Sequence, residues 1–127
     1  MKPYVRRTHT LYAKRQCQQA RVSPTTAALA WAAGFIEGEG TFTPLRVKER
    51  LYQRLTAYQN NLEPLEKLQA LFGGSIWGFT TKRTQARELG HTWHVNGARA
   101  RGVMLTLWTF LSAKRRGQLR SALSGDY

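Results

Sequence analysis

The chain has 127 residues and carries 20 Lys and Arg side chains against 7 Asp and Glu, which gives a formal net charge of +13. This length allows one small domain with an appended arm, and 42% hydrophobic residues exclude a disordered polycation. A folded chain this basic attracts polyanions, so nucleic acid is the first partner to consider and an anionic membrane surface the second.

The N-terminal part of the chain is predicted to be a basic arm, residues 1–22, ahead of a single domain at 23–127. The arm contains six basic residues, no acidic residue and little apolar periodicity. Ser23 and Pro24 then form a helix-start signal, a capping hydroxyl followed by a proline. The predicted helix covers residues 25–36 and ends at the sequence Gly-Glu-Gly, because glycines favour a helix end.

The rest of the chain predicts two hairpins, a helix between them and further helix at the end. The spacing of the apolar residues assigns strands to residues 41–50, 51–60, 75–83 and 90–96, and helices to 63–72 and from 103–111 onward. The order is helix, two strands, helix, two strands, helices, which is typical of the α+β class.

Alternation within the strands predicts which side chains face the core. Trp77 and Phe79 are expected to point inward in the third strand, and Trp93 and Val95 in the fourth. In the first strand we expect a change of phase at Pro44. The basic residues that then point outward are Arg46, Lys48 and Arg50, continued on the second strand by Arg54. The four tryptophans are all expected to be core residues.

The sequence argues against a membrane-spanning protein and against a zinc finger. The longest apolar stretches, residues 27–36 and 103–111, are shorter than the roughly 20 residues that a spanning helix needs. The basic N-terminus is not followed by an apolar signal-peptide core, so we expect a cytosolic chain. Cys17 is the single cysteine, and the three histidines lack finger spacing. Any metal is therefore expected to have oxygen ligands.

The most informative segment is residues 31–42, with the sequence WAAGFIEGEGTF. It places Glu37 and Glu39 at a helix end, where the negative end of the helix dipole disfavours a carboxylate unless a cation is supplied. A divalent metal ion would supply that charge. The alternative is a glycine-terminated helix whose glutamates are merely solvated.

This segment resembles the signature of the LAGLIDADG homing endonucleases at residues 32–40 and at the flanking positions. The resemblance implies an αββαββα fold over about residues 25–123, with an antiparallel sheet that forms a saddle over duplex DNA. It also implies that the motif helices of two protomers pack at small residues and that each helix end delivers one acid to the scissile phosphates. Two features depart from the family pattern: Ala32 replaces a leucine, and both acids are glutamates.

The resemblance implies roles for individual residues of this sequence. Glu39 falls on the metal-binding acid, and Lys114, in the segment FLSAKRRGQ, falls on the active-site lysine. The implied catalytic set is Glu39, Lys114, Gln59 and Asn60; the implied ligands of Mg²⁺ are Glu39 and Gly38. The implied dimer interface comprises Ala30, Ala33, Gly34 and Glu37. For Lys114 and its two arginine neighbours, a solvated charge run or phosphate contacts without catalysis remain alternatives.

The sheet is expected to contact DNA, because a two-stranded ribbon fits the major groove. Each basic residue by itself could serve only solubility, whereas the charge of +13 favours a nucleic-acid face. The predicted DNA contacts are Arg46, Lys48, Arg50, Arg54, Thr80, Lys82, Thr92, His94, Arg115 and Arg116. By the same resemblance, one motif in a chain of this length implies a homodimer and a palindromic or nearly palindromic site.

The predicted function is site-specific, metal-dependent cleavage of double-stranded DNA by a homodimer, as in intron or intein mobility. We expect it to act in the cytoplasm at the nucleoid, or in an organellar matrix. Three alternatives remain open: an RNA maturase that assists intron splicing, a DNA-binding regulator without cleavage, and a general basic protein of ribosomal or nucleoid type. The last of these leaves the segment GFIEGEG unexplained.

Overall fold

The computed structural model describes residues 9–81 and 88–125, with side chains at 17–78 and 90–125. Four α-helices and five strands follow one another in these ranges. The strands are β1 His9–Gln18, β2 Gly40–Val47, β3 Arg50–Gln59, β4 Gly74–Thr81 and β5 Glu88–Asn96. The helices are α1 Thr26–Glu39, α2 Leu62–Phe72, α3 Gly97–Leu107 and α4 Ala113–Ser124, with a short 3₁₀ helix at Trp108–Phe110 between α3 and α4.

The strands form one antiparallel sheet in the order β1-β4-β5-β3-β2. Alternate strand residues, among them Leu55, Ile76 and Trp93, join the helices in one apolar core. The helices thus cover one face of the sheet, called the helix face below, and the opposite face is the open face. The predicted α+β class and the order from α1 to β5 are confirmed. Within the described ranges, every helix is too short or too polar to span a bilayer.

Strand β1 lies within residues 1–22, which were predicted to be a basic arm, so that prediction is wrong for residues 9–18. β1 pairs with the outer edge of β4, and the chain after it is fixed to the domain. Nη1 of Arg99 donates to the carbonyl of Gln18 at 3.1 Å, and the backbone N–H of Arg21 donates to the carbonyl of Ala70 at 2.7 Å. An edge strand gains backbone hydrogen bonds from its neighbour, so this segment forms a strand without an alternating apolar pattern.

The predicted change of phase at Pro44 is wrong. The β2–β3 pairing runs without a break from Gly40↔Ala57 to Val47↔Arg50. Arg46 therefore shares the helix face with Phe42, and its Nη2 lies 2.7 Å from where a Cβ at Gly125 would be. Pro44 needs no bulge because β2 is an edge strand, where a missing N–H leaves no neighbour unpaired.

One predicted core tryptophan lies on the open face. Trp93 is fully buried as predicted, and its Nε1 donates to the carbonyl of Gly73 at 2.8 Å. The register pairs Ile76 with Trp93, so Ile76 points into the core and Trp77 points the other way with 38% of its surface exposed. Trp31 and Trp108 are half-buried at the edge of the core.

Two predicted helix boundaries also differ from the structure. The side chain of Thr25, rather than Ser23, caps α1, with its Oγ1 accepting from the N–H of Ala28 at 3.1 Å. The single helix predicted from 103–111 is instead the end of α3, a 3₁₀ turn and then α4. Ser112 begins α4, because its Oγ accepts from the N–H of Arg115 at 3.2 Å.

Candidate functional site

The end of α1 turns directly into β2 at Gly40. The N–H of Gly40 donates to the carbonyl of Ile36, and a Cβ at Gly40 would lie 2.6 Å from Cγ2 of Ile36. Only glycine allows the chain to leave the helix this closely. The turn leaves Glu37 and Glu39 in the last turn of α1, at one end of the sheet.

Glu37 is bound within the chain, to the first turn of α4. Its carboxylate accepts from the N–H of Ser112 at 2.9 Å and from Oγ of Ser112 at 2.6 Å. The side-chain hydrogen bond from Ser112, followed by its backbone hydrogen bond, lowers the pKa of Glu37 below its usual value. Nε of Arg115 also donates to the carbonyl of Glu37 at 2.9 Å, which supplies a cation at the negative end of α1.

Glu39 differs from Glu37 because its side chain is exposed and has no hydrogen bond or ion pair with any described residue. It lines a cleft of about 570 Å³ between the end of α1, β2 and α4. The polar side chains around the cleft are Glu39, Thr41, Arg115, Gln118 and Ser121.

The described residues contain no group of three His, Cys, Asp or Glu side chains close enough to hold a metal ion. The predicted ligands Glu39 and Gly38 are hard oxygen donors, a carboxylate and a carbonyl in the last helical turn, whose carbonyls lack helical partners. Both residues are exposed. They suit Mg²⁺ as part of a shell that water or a phosphodiester completes, but they do not form a complete site by themselves.

The β2–β3 register brings the last residues of β3 to the same end of the strands as Glu39. Gly40 pairs with Ala57, so Gln59 lies two residues beyond that pair. Oε1 of Gln59 accepts from the N–H of Asn60 at 2.9 Å, and Oδ1 of Asn60 accepts from the hydroxyl of Tyr58 at 3.4 Å. Both side chains, which the resemblance places in the catalytic set, therefore lie near the site and are held by neighbouring residues.

Lys114 lies in the first turn of α4, and its side chain is exposed. Its positive charge contributes to the lowered pKa of Glu37, although less than the hydrogen bonds from Ser112. The structure therefore places the predicted lysine beside the end of α1. It pairs with no described carboxylate through a hydrogen bond or salt bridge.

The outer surface of α1 is a stripe of small exposed residues. Ala30, Gly34 and Gly38 are exposed, and a Cβ at either glycine would meet nothing within 4 Å. Ala33, which we predicted at the dimer interface, is instead 1% exposed and belongs to the chain's own core. It points about 100° away from Gly34 around the helix.

The open face carries the predicted contact residues of β3 and β5. Arg50, Arg54, Thr92 and His94 alternate with buried residues of these strands, and Lys48 lies in the turn before β3. Nε of Arg54 donates to Oδ1 of Asn96 at 2.7 Å. Burial, with a smaller contribution from the charge of Arg54, lowers the pKa of His94, so the ring is neutral at physiological pH. Thr80 is in β4, its side chain is outside the described part, and Lys82 lies outside the described residues altogether.

Two of the other predicted contact residues have hydrogen-bond partners inside the domain. Arg115 binds Glu37, and Nε of Arg116 donates to the carbonyl of Trp108 at 2.9 Å. Arg46 lies on the helix face. The guanidinium groups of Arg115 and Arg116 bind backbone carbonyls at helix ends, and that of Arg46 is exposed beside Gly125, which is not visible from their charge in the sequence.

Sequence reasoning missed Ser112 and Gln118. A serine before a run of good helix formers is a helix-start signal, and the segment Ser-Ala-Lys-Arg-Arg carries it. Because a single helix was predicted from 103–111 onward, the separate start of α4 at Ser112 was not recognised. Gln118 carries no such signal, because its place at the cleft depends on how α4 packs against β2.

No protein-family model and no curated protein matches the chain. Among solved structures, it is similar to the archaeal intron-encoded homing endonuclease I-Vdi141I complexed with DNA, with a TM-score of 0.52 and 22% identity over 72% of this chain. It is also similar to the LAGLIDADG meganuclease I-AabMI bound to uncleaved DNA, with a TM-score of 0.52 and 16% identity over 76% of this chain. A third similar structure is the group I intron-encoded homing endonuclease I-CeuI complexed with DNA, with a TM-score of 0.52 and 13% identity over 82% of this chain.

This chain has the LAGLIDADG homing endonuclease fold. It spans 62% of I-Vdi141I, 35% of I-AabMI and 56% of I-CeuI. Within this LAGLIDADG fold, α1 is the motif helix, because it carries the signature residues and ends at Gly38-Glu39-Gly40. The exposed carboxylate of Glu39 lies in the last turn of this helix.

Proposed function

We propose that the chain is a site-specific homing endonuclease that cleaves double-stranded DNA as a homodimer with a divalent metal ion, Mg²⁺. One observation carries the proposal: α1 ends in an unpartnered carboxylate, Glu39, beside a cleft, whereas the carboxylate of Glu37 accepts two hydrogen bonds from Ser112. A carboxylate left free on a chain of charge +13 is suited to a cation that arrives with the substrate. The DNA in the three similar structures supports duplex DNA as that substrate.

A divalent metal bound at Glu39 and Gly38 would activate water and stabilise the charge on the leaving oxygen. Residues of the chain itself hold the end of α1 in position for this metal ion. Arg115 holds the backbone of Glu37, and Gly40 fixes the direction in which α1 ends. The ammonium of Lys114 adds positive charge next to that helix end, where it stabilises a negatively charged phosphodiester.

The open face would hold the duplex. Arg50, Arg54 and Lys48 supply positive charge at the end of the β2–β3 hairpin, and Thr92 and His94 supply uncharged side chains nearer the middle of the sheet. Contacts from Arg and Lys to phosphates give affinity that depends on salt, and uncharged groups contact base edges.

A homodimer follows from the number of active acids. One chain contributes one free carboxylate at the end of α1, whereas a double-strand break requires two cleavage events. The exposed stripe of Ala30, Gly34 and Gly38 allows two α1 helices to approach closely, with both copies of Glu39 at the centre. Two-fold symmetry in the protein favours a palindromic or nearly palindromic target.

The test is a selection on a randomised duplex library with Mg²⁺, comparing the wild type with Glu39→Gln by sequencing the cleaved ends. We expect staggered breaks at a near-palindrome from the wild type and at least a roughly hundredfold slower cleavage from Glu39→Gln with binding retained. Glu63→Gln, an exposed carboxylate at the start of α2, is the matched control and should cleave normally.

Other outcomes of the selection would contradict particular parts of the proposed function. Normal Mg²⁺-dependent cleavage by Glu39→Gln contradicts the metal assignment. Specific binding without cleavage by the wild type indicates a DNA-binding regulator on the same fold. Neither binding nor cleavage of duplex DNA makes structured intron RNA the next substrate to test.

A further inference from the structure

Two large aromatic side chains are exposed on the open face. Trp77 is 38% exposed and Tyr58 is 49% exposed. The β4–β5 register pairs Trp77 with Thr92, and the β3–β5 register pairs Tyr58 with the same Thr92. The three side chains therefore form one line across three neighbouring strands, which we call the aromatic row.

The aromatic row is held in place by its neighbours. The ring of Trp77 packs against that of His94 at a centroid distance of 5.6 Å and an interplanar angle of 72°. The ring of Tyr58 lies over Gly90, and the phenol leaves no room for a Cβ there. Rings fixed in this way lose little conformational entropy when a ligand covers them, so the row is prepared for binding.

The aromatic row lies at the end of the open face that is nearest to Glu39. Gly40 pairs with Ala57 where α1 ends, and Tyr58 is the next residue along β3. The basic residues lie toward the opposite end of β3. Arg54 is four residues and Arg50 eight residues before Tyr58, and Lys48 lies in the turn before β3.

This separation of charged from uncharged groups identifies the chemistry of the partner. The basic end complements a polyanion, whereas the aromatic row has no charge to pair with a phosphate: Tyr58, Trp77 and Thr92 are uncharged, and His94 beside them is held neutral. In the major groove, the 5-methyl group of thymine is the apolar group that bases display. Apolar rings buried against it gain free energy that no other base offers there.

We propose that the aromatic row contacts thymine methyl groups in the major groove, at the base pairs nearest the cleavage point, and selects thymine there. The inference rests on the proposed function in taking duplex DNA as the ligand and Glu39 as the mark of the cleavage point. Its test depends on binding and needs no cleavage.

The experiment is a binding selection without divalent metal on a randomised duplex library, followed by resynthesis of the enriched duplex with deoxyuridine in place of thymidine. Deoxyuridine removes the 5-methyl group and keeps every hydrogen-bonding group. For the wild type we expect thymine at fixed positions next to the centre of the site, and binding weakened roughly fourfold for each contacted methyl that is removed.

Two variants test whether Trp77 contributes to the discrimination between thymidine and deoxyuridine. Trp77→Thr keeps a good strand former at a partly exposed position and should discriminate between the two duplexes less than the wild type does, because only Tyr58 of the two rings remains, with an unchanged circular dichroism spectrum. Leu105→Gln is the matched control, because it removes an exposed apolar side chain, 58% exposed, from α3 on the helix face. It should discriminate between thymidine and deoxyuridine as the wild type does.

Equal binding of both duplexes by the wild type overturns the inference, and so does discrimination that is undiminished in Trp77→Thr. A preference for single-stranded RNA that depends on Trp77 also overturns it, because the row would then stack on unpaired bases. Methyl-dependent binding without cleavage in Mg²⁺ contradicts the proposed function alone. Cleavage without methyl dependence contradicts this inference alone, and a chain that enriches no sequence contradicts both.

Discussion

Glu37 and Glu39 lie two positions apart at the end of α1, yet they have different surroundings. Glu37 accepts two hydrogen bonds from Ser112, and Glu39 has no partner among the described residues. The sequence places both acids at a helix end. It cannot distinguish them, because Ser112 is 75 residues further along the chain and approaches only when α4 packs against the sheet.

Ser112→Ala tests the contact between α4 and α1. Oγ of Ser112 accepts from the N–H of Arg115 at 3.2 Å and donates to Glu37 at 2.6 Å. Loss of the helix cap alone should lower the free energy of unfolding by about 1 kcal/mol, measured by urea denaturation at pH 7. Ser23→Ala is the control, since Thr25 supplies the cap of α1. These cap assignments would be contradicted if Ser23→Ala lowered the free energy of unfolding by about 1 kcal/mol, or if Ser112→Ala left it unchanged.

The same variant should show a pH dependence with a definite sign. The hydrogen bonds from Ser112 lower the pKa of Glu37, so the ionised carboxylate favours the folded state. That stabilisation is fully present above the ordinary glutamate pKa of about 4.5 and is lost as the pH falls through the lower pKa of the folded state. The difference in unfolding free energy between the wild type and Ser112→Ala should therefore be larger at pH 7 than at pH 3.

At the scale of elements, short stretches of sequence predicted the helices whose formation depends on neighbouring residues in the chain. The apolar periodicity of α2 and the glycines at the end of α1 are visible in a short window, and both helices form in the predicted places, although α1 continues to Glu39. β1 forms because β4 presents unpaired backbone groups, which a window around residues 9–18 does not contain. Trp77 was assigned to the wrong face for a similar reason, because the register with Trp93 gives the inward position to Ile76.

The turn between β2 and β3 has an unfavourable sequence for its shape. Lys48 and Glu49 have φ angles of 52° and 69°, as in a tight hairpin turn that usually contains Asn and Gly. Glu49→Gly should raise the free energy of unfolding by about 1 kcal/mol, because glycine adopts positive φ without a Cβ clash. Glu49→Ala, measured by the same urea titration, should give no gain. Equal stability of the two variants would show that the backbone at residue 49 relaxes at no cost.

At the scale of the whole molecule, the helices cover one face of the sheet and leave the other face open. Along the open face, positive charge at Arg50 and Arg54 gives way to the uncharged aromatic row near Glu39. A duplex on this face would therefore be bound through phosphates at one end of the hairpin and through base edges at the other. The net charge predicts a polyanionic partner, but the separation of these two regions depends on strand register, which composition does not contain.

The proposed dimer can be tested without disturbing the fold of the single chain. A side chain at Gly34 meets nothing within 4 Å, and leucine favours helix more than glycine by about 0.8 kcal/mol. Gly34→Leu should therefore keep or raise the melting temperature while it blocks the close approach of two α1 helices. We expect sedimentation to show a shift from dimer to monomer and double-strand cleavage to fall by more than about tenfold. Gly102→Leu, at an equally open helical glycine of α3, should remain dimeric and active. If Gly34→Leu sediments as a dimer and cleaves normally, then α1 does not form the interface, and the second acid must come from another surface.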